Sequence, residues 1–196
     1  MLIAAVSGVR NPSLGTVVVN LVSRLEPDLL ALCGDVNVGR SSLKRLSRFK
    51  LVLVTGESDD IYYVKLAKEL NALVDGRVVE VSGIRVGGVG AVNPAYDAHT
   101  LVSRSGGGNL DIVISYFPPS RCLDISTPLY VRTGLKHLNT AIKTLKPRIL
   151  LVGRSWKPTV SYCEGVLSIG LRECVALVKL PDVELRFIPI GLVSVS

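Results

Sequence analysis

The sequence predicts an α/β fold in which two mixed β-sheets pack face to face and helices cover the outside. Over residues 1–72, short apolar runs alternate with segments of helical periodicity, a pattern typical of parallel strands joined by right-handed crossovers. After residue 158, apolar runs follow one another at the close spacing of an antiparallel meander. Neither a repeat nor a linker divides the sequence, so we expect a single domain, 1–196.

Strands and helices alternate regularly in the first part of the chain. Residues 2–6 are an unbroken apolar run, which suits a strand covered on both faces. Asn11-Pro12-Ser13 supplies capping residues, and apolar residues at helical spacing follow over 14–25 until Pro27. The same two patterns predict strands at 28–33 and 51–54 and helices at 41–49 and 60–72.

The pattern changes in the second part of the chain. Alternating residues predict a hairpin of strands 77–81 and 84–89 that turns at Ser82-Gly83. Gly, Asn and Pro at 87–95, Gly at 105–109 and the irregular residues up to about 132 predict loops. Apolar residues at helical spacing predict a helix at 133–146. The remaining strands are predicted at 110–115, 148–152, 159–163, 166–169, 173–179 and 183–188.

The composition is that of a folded protein without a membrane segment. Hydrophobic residues make up 48% and the mean hydropathy is +0.42, too apolar for a disordered chain. Apolar runs are shorter than a bilayer span and no basic leader precedes the first strand, so we expect a cytoplasmic protein. The absence of Gln and the single Met are typical of a thermophile.

The net charge of +7 and the pI of about 9.4 favour acidic partners. For the densest basic run, we favour a solvated helix face over a phosphate-binding surface. Its cations are Arg40, Lys44, Arg45, Arg48 and Lys50. Three Phe, one Trp and six Tyr are few for a platform that stacks single strands.

Cysteine and histidine offer no recognisable metal site. The four cysteines show neither a C-x-x-C pair nor zinc-finger spacing, so we expect them to be core or loop residues. Because the composition is typical of a thermophile, a disulfide between two of them is a further alternative. They are Cys33, Cys122, Cys163 and Cys174. His99 falls in the irregular segment and His137 in the late helix, where we expect exposed side chains.

Polar turns follow five of the predicted strands. The apolar run 30–33 ends in Gly34-Asp35, so a buried strand delivers a carboxylate at its tip. Because the carboxyl ends of parallel strands form the ligand edge of an open α/β sheet, we expect the five turns to converge on one site. The other four turns are Ser7–Asn11, Gly56–Asp60, Ser115–Pro119 and Gly153–Pro158.

In order and spacing, these turns resemble the motifs of the calcineurin-like metallophosphoesterases, above all the small single-domain archaeal and bacterial members. That family has D-x-H after the first strand, G-D after the second, G-N-H-D/E after the third, then a lone His and G-H-x-H. The resemblance covers nearly the whole chain and implies an α/β/β/α sandwich. It also implies a site in which a set of side chains holds two metals that activate water.

Most of the ligand positions implied by the resemblance carry other residues here. The D-x-H pair falls on Gly8 and Arg10, while the Asp of G-D is kept as Asp35. The Asn of the third motif falls on Glu57. The His after it, the family's acid toward the leaving group, falls on Ser58.

The later motifs are replaced in the same way. The acidic residue of the third motif is kept as Asp59, and the lone His falls on Tyr116. The G-H-x-H pair falls on Arg154 and Trp156. Arginine stays protonated and has no lone pair for a metal, so we predict an Arg–carboxylate cluster with no metal, cofactor or catalytic residue. We expect Tyr116 and Trp156 to fill the vacated volume, and for Asp35 a simple capping role stays open.

These replacements favour a catalytically inactive member of the fold that serves as an interaction or scaffold module, with a protein partner or a second copy as its ligand. The retromer scaffold subunit and the regulatory subunits of replicative polymerases look like such cases. The apolar tail 187–195 either covers a partner or pairs within its own sheet.

Two alternatives stay open. One is a phosphomonoesterase or phosphodiesterase that uses Mn²⁺ or another divalent metal at Asp35, Glu57 and Asp59. The other is a binder of a phosphate-bearing ligand or of nucleic acid through Arg10 and Arg154.

Overall fold

The computed structural model describes residues 1–124 and 133–192. Within these residues the chain forms eleven strands and five α-helices, and it ends in a 3-10 helix at Ile190–Leu192. The strands are β1 (Leu2–Ser7), β2 (Leu29–Cys33), β3 (Leu51–Val54), β4 (Val78–Val81), β5 (Ile84–Val89), β6 (Ile112–Ser115), β7 (Ile149–Val152), β8 (Thr159–Cys163), β9 (Val166–Gly170), β10 (Cys174–Lys179) and β11 (Glu184–Pro189). The helices are α1 (Pro12–Leu25), α2 (Arg40–Leu46), α3 (Ile61–Glu69), α4 (Pro94–Arg104) and α5 (Lys136–Leu145).

The strands form two mixed sheets. One sheet has five strands in the order β11-β10-β1-β2-β3, and the other has six in the order β4-β5-β6-β7-β9-β8. β1, β2 and β3 are parallel, as are β5, β6, β7 and β9. The other pairings are antiparallel. The late strands β10 and β11 form one margin of the first sheet, and β8 and β9 form one margin of the second. The predicted parallel units are present, but the late strands form two antiparallel hairpins, β8-β9 and β10-β11, which lie in different sheets and therefore do not make the predicted meander.

Three apolar clusters hold the layers together. The first lies between the sheets and contains Ile3 and Leu29 from one sheet together with Ile112 and Ile149 from the other. The second joins the outer face of the five-stranded sheet to α1, α2 and α3. The third joins the six-stranded sheet to α4 and α5. Burial of all four faces gives the predicted α/β/β/α sandwich.

Local capping sets the start of two helices near the carboxyl edge of the sheets. Asn11 precedes α1, and its side chain accepts a hydrogen bond from the backbone N–H of Ser13 at 3.0 Å. Asp60 does the same for α3 through the N–H of Tyr62 at 2.6 Å. Helices α2, α3 and α5 are shorter than the predicted 41–49, 60–72 and 133–146, because turn residues flank each of them.

Helix α4 corrects the sequence analysis, which placed no helix between 89 and 110. Pro94 occupies the start of the helix, where the missing N–H of proline costs nothing, so a residue that indicates a turn begins a helix here. Ala98 and Leu101 pack into the third cluster. His99 is therefore helical, not irregular, and it is exposed, as is His137 on α5.

Strand pairing accounts for part of the apolar tail. Residues 184–189 form β11 along β10, so the start of the tail pairs within its own sheet. Residues 193–195 of the tail and residues 125–132 of the predicted loop lie outside the described residues.

Cys122 and Cys163 form a disulfide, whereas Cys33 and Cys174 are free and buried. No helix in the described part of the chain is both long and apolar enough to cross a bilayer.

Candidate functional site

The ends of β1, β2 and β7 meet where the two sheets approach each other. The buried hydroxyl of Ser7 lies 2.9 Å from the carbonyl oxygen of Gly34 and 2.9 Å from that of Gly153. The backbone N–H of Arg154 donates to the carbonyl of Tyr116 at 2.7 Å, which ties the turn after β7 to the turn after β6. The predicted turns therefore converge at one edge of the sandwich.

Asp35 is the centre of this edge. It follows β2 with a φ of 52° and its side chain is only 3% exposed. Its Oδ1 accepts from the backbone N–H of Ser58 at 2.8 Å, and its Oδ2 accepts from Arg10 Nη2 and from the Tyr116 hydroxyl, both at 2.9 Å. Asp35 thus belongs to a charge cluster and also orders the next turn, so both roles considered for it are present.

A second ion pair lies beside the first. Arg154 Nη1 is 2.6 Å from Glu57 Oε2, and the Tyr116 hydroxyl is 3.4 Å from the same oxygen. The Arg154 guanidinium also lies 5.6 Å from the centre of the Phe117 ring, within the range of a cation–π contact. Tyr116 consequently bridges the two ion pairs, and we name Arg10, Asp35, Glu57, Tyr116 and Arg154 the charge cluster.

The buried Tyr116 hydroxyl stays protonated. Burial and the neighbouring Asp35 raise the pKa of this phenol above its ordinary value. The hydrogen bond from Arg10 to Asp35 raises the pKa of Arg10 as well, so this guanidinium stays charged. Both side-chain donors to the Asp35 carboxylate are therefore permanent.

Asp59 lies behind this cluster in a drier environment. One carboxyl oxygen accepts from the backbone N–H of Gly56 at 2.6 Å. The other is buried, as is the hydroxyl of Tyr63. Burial raises the pKa of Asp59 to about 6, and proximity to Asp35 adds to the shift.

The buried charge of Asp59 makes stability depend on pH. A folded-state pKa of about 6 against an ordinary 3.8 means that the folded protein holds the extra proton. The free energy of unfolding should therefore fall as the pH rises from about 4 through about 6, by up to about 3 kcal/mol for this group. We expect Asp59→Asn to be more stable than the parent at pH 8 and to lose this advantage at pH 4.

Urea unfolding at the two pH values measures this difference. The exposed Asp182 provides the control, because Asp182→Asn removes the same formal charge without changing a buried group. A stability difference for Asp59→Asn that is the same at both pH values would show that folding does not change the pKa of this carboxyl.

Several predicted site residues are placed away from the charge cluster. Trp156 does not fill the vacated volume, because its side chain is 44% exposed, whereas Tyr116 is 1% exposed and fills it. Ser58 contributes its backbone N–H rather than its hydroxyl. Gly8 has a φ of 74°, and a Cβ there would lie 3.3 Å from the backbone nitrogen of Glu173, so it faces the start of β10.

A second group of buried and half-buried polar residues, which the sequence did not predict, lies at the ends of β3 and β5. Thr55 donates from its hydroxyl to Asp75 at 2.7 Å, and Asp97 accepts from the backbone N–H of Gly90 at 3.1 Å. Burial raises the pKa of Asp75 and raises that of Asp97 to about 6. The signal for Asp75 was present, because an apolar run ends in Asp75-Gly76 as another does in Gly34-Asp35.

The donor atoms of this edge do not fit a two-metal centre. Asp35 uses both oxygens for protein donors, and Arg10 and Arg154 occupy positions where the resemblance implies neutral ligands. Within residues 1–124 and 133–192, no three His, Cys, Asp or Glu side chains are grouped so that they could hold a metal ion.

Comparison with known proteins relates the chain to others by its fold. No family model matches the sequence, and no curated protein matches it closely. Among solved structures, the protein TT1561 of Thermus thermophilus has a TM-score of 0.75 at 17% identity, covering 96% of this chain and 98% of that one.

Two further structures match over similar lengths. An archaeal phosphodiesterase has a TM-score of 0.53 at 12% identity and covers 96% of this chain and 99% of its own. Vps29 of Entamoeba histolytica has a TM-score of 0.53 at 10% identity, with 96% and 98% covered. The chain therefore has the fold of the small metallophosphoesterases.

Proposed function

We propose that this metallophosphoesterase-fold protein is a catalytically inactive interaction module, in which the charge cluster stabilises the carboxyl edge instead of binding metals. One observation carries the proposal: Asp35 Oδ2 accepts hydrogen bonds from both Arg10 and Tyr116. The electron pairs that a divalent ion would need are engaged by two permanent donors.

The energetics of the ion pair support this assignment. Asp35 is almost fully buried, and a buried carboxylate is tolerated only when it is paired and hydrogen-bonded. Arg10 supplies the charge and Tyr116 and Ser58 supply further hydrogen bonds, so the site is balanced without a metal. A metal at this position would have to displace a guanidinium and a buried phenol, and it would add two positive charges beside Arg154.

The fold alone does not distinguish a catalytically inactive protein from a phosphoesterase. One structure with this fold is described as a phosphodiesterase, so the fold can carry that activity. The choice between the two depends on the residues of the charge cluster, and these residues favour the inactive module.

Phosphate-ester hydrolysis and the stabilisation of the protein by metal test the proposal directly. We expect the purified chain, incubated with Mn²⁺ and a bis-aryl or mono-aryl phosphate, to show no hydrolysis above the buffer and no Mn²⁺-dependent rise in Tm. The comparison includes Asp35→Asn and, as the matched control, Asp182→Asn. Hydrolysis that Asp35→Asn abolishes and Asp182→Asn retains would establish a metal-dependent phosphoesterase instead.

A second candidate function is the binding of a phosphate-bearing ligand at the same edge. The observation that favours it is the exposure of Arg10, whose side chain is 55% exposed although its partner Asp35 is buried. Guanidinium nitrogens that face solvent can bind phosphate oxygens. Inorganic phosphate should then raise the Tm of the parent and of Arg24→Ala but not that of Arg10→Ala, each compared with the same variant in phosphate-free buffer.

A further inference from the structure

The outer face of α2 and the residues that directly follow this helix carry an excess of positive charge. The segment 36–56 contains no acidic residue, and its five cations are all exposed. None of the five forms an ion pair in the described part of the chain. Some exposed cations elsewhere are paired, such as Lys143 with Glu164 and Lys179 with Glu184. We name Arg40, Lys44, Arg45 and Arg48 the basic face.

The stability of α2 explains only part of this charge. Lys44 and Arg45 lie in the last turn, where cations interact favourably with the helix dipole. Arg40 is the first residue of the helix, where a cation is unfavourable, and no acidic residue in the first turn offsets it. The helix dipole therefore accounts for Lys44 and Arg45 but not for Arg40.

Arg40 also lines a groove between the starts of α2 and α3. The groove has a volume of about 420 Å³, and its lining consists of Asn37, Gly39, Arg40, Asp60, Tyr62 and Tyr63. Tyr62 is 66% exposed, so its ring is available for stacking. Asn37 adds an amide that can donate and accept, and the carboxylate of Asp60 is engaged as the cap of α3.

We propose that the basic face and this groove bind single-stranded nucleic acid, with backbone phosphates on the basic face and one base against Tyr62. Cations in a row attract the phosphates, and an exposed aromatic ring stacks a base whatever its identity. An acidic protein is attracted by the cations whether or not the ring is present, so the effect of removing the ring separates the two partners. A duplex keeps its bases stacked and out of reach of the ring. The sequence favoured a solvated face, and its few aromatic residues argued against a stacking platform of several rings. The proposed surface uses one ring, Tyr62, which the sequence did not place in a groove with Arg40.

Fluorescence anisotropy with a labelled single-stranded oligonucleotide longer than about 16 nucleotides tests the proposal. We expect the parent to bind and Arg40→Ala/Lys44→Ala to lower the salt slope of the binding constant by about 1.4, which is about 25-fold in affinity at about 0.1 M salt. The matched control, Arg24→Ala/Lys136→Ala, removes two exposed cations from α1 and α5 and should bind as the parent does.

The aromatic contact is tested separately. Tyr62→Ala should weaken binding of the single strand, whereas Tyr162→Ala, which removes a ring that is 73% exposed elsewhere, should not. The proposal is overturned if the parent does not bind, or if both double variants weaken binding equally. Competition by polyglutamate as effective as that by the oligonucleotide, with no effect of Tyr62→Ala, would assign the face to an acidic protein.

This inference goes beyond the proposed function, and the two can fail independently. A chain that hydrolyses aryl phosphates and still binds the strand through Arg40 and Lys44 refutes only the inactive module. A chain without hydrolysis that does not bind the strand refutes only the nucleic-acid surface.

Discussion

Replacing Gly153 by alanine should destabilise the protein by about 3 kcal/mol or more, or prevent folding, although it adds a single methyl group. A Cβ at this position would collide with the carbonyl oxygen of Cys33 at the end of β2, and it would lie 2.9 Å from the hydroxyl of Ser7. The oxygen belongs to the backbone of a central strand, so it cannot move aside as a flexible side chain could. The collision is relieved only if the two sheets separate at the carboxyl edge.

The same substitution should disturb the charge cluster. Gly153 directly precedes Arg154, and its N–H donates to the carbonyl of Ser115 at 2.8 Å, which fixes the turn after β7. We expect urea unfolding to show the loss of stability. The control is Gly191→Ala, because a Cβ at Gly191 meets nothing within 4 Å. Equal stability of the two variants would show that the sheet ends yield easily and that their close approach does not hold the site.

Removal of the disulfide should cost about 2–4 kcal/mol of unfolding free energy. Cys122 lies in the turn region after β6 and Cys163 ends β8, and the two positions are 41 residues apart in the sequence. In the chain-entropy model, a cross-link over a loop of that length restricts the unfolded chain by about 4 kcal/mol. The bond also ties the margin of the six-stranded sheet to the loop that leads away from Tyr116.

Urea unfolding of Cys122→Ala/Cys163→Ala tests this expectation. The parent in a reducing buffer should match the double variant, because Cys33 and Cys174 are free thiols in both conditions. A double variant as stable as the oxidised parent would show that the cross-link adds nothing to the packing of β8. Oligonucleotide binding should be unchanged in this variant, since the basic face lies on the other sheet's helices.

The sequence predicted the architecture well because burial leaves a local signature. Strands covered on both faces, such as β1 and β2, are continuous apolar runs, and helices such as α1 show an apolar stripe. Helix α4 was not predicted, because the residues at its start are rich in Gly, Asn and Pro and because few of its residues are buried. The position of the site also followed from the sequence, since parallel strands present their carboxyl ends at one edge.

The pairing within the site could not be read from the sequence. Arg10, Asp35 and Tyr116 are far apart along the chain. The pairing of β1 with β2 brings the guanidinium to the carboxylate, and the approach of the second sheet brings the phenol to the same oxygen. Trp156 shows the limit of motif alignment, because its position in the motif suggested a buried ring and the turn after β7 exposes it.

What the sequence determined by itself is the set of local properties: which segments are strands or helices, which strand ends are polar, and that arginine replaces metal ligands. The tertiary structure alone decided which charges meet, which cysteines pair, and that Arg40 and Tyr62 line one groove. The physical reason is one of range. Periodicity and capping act over a few residues, whereas ion pairs, disulfides and grooves depend on distances that only the packing of two sheets and their helices sets.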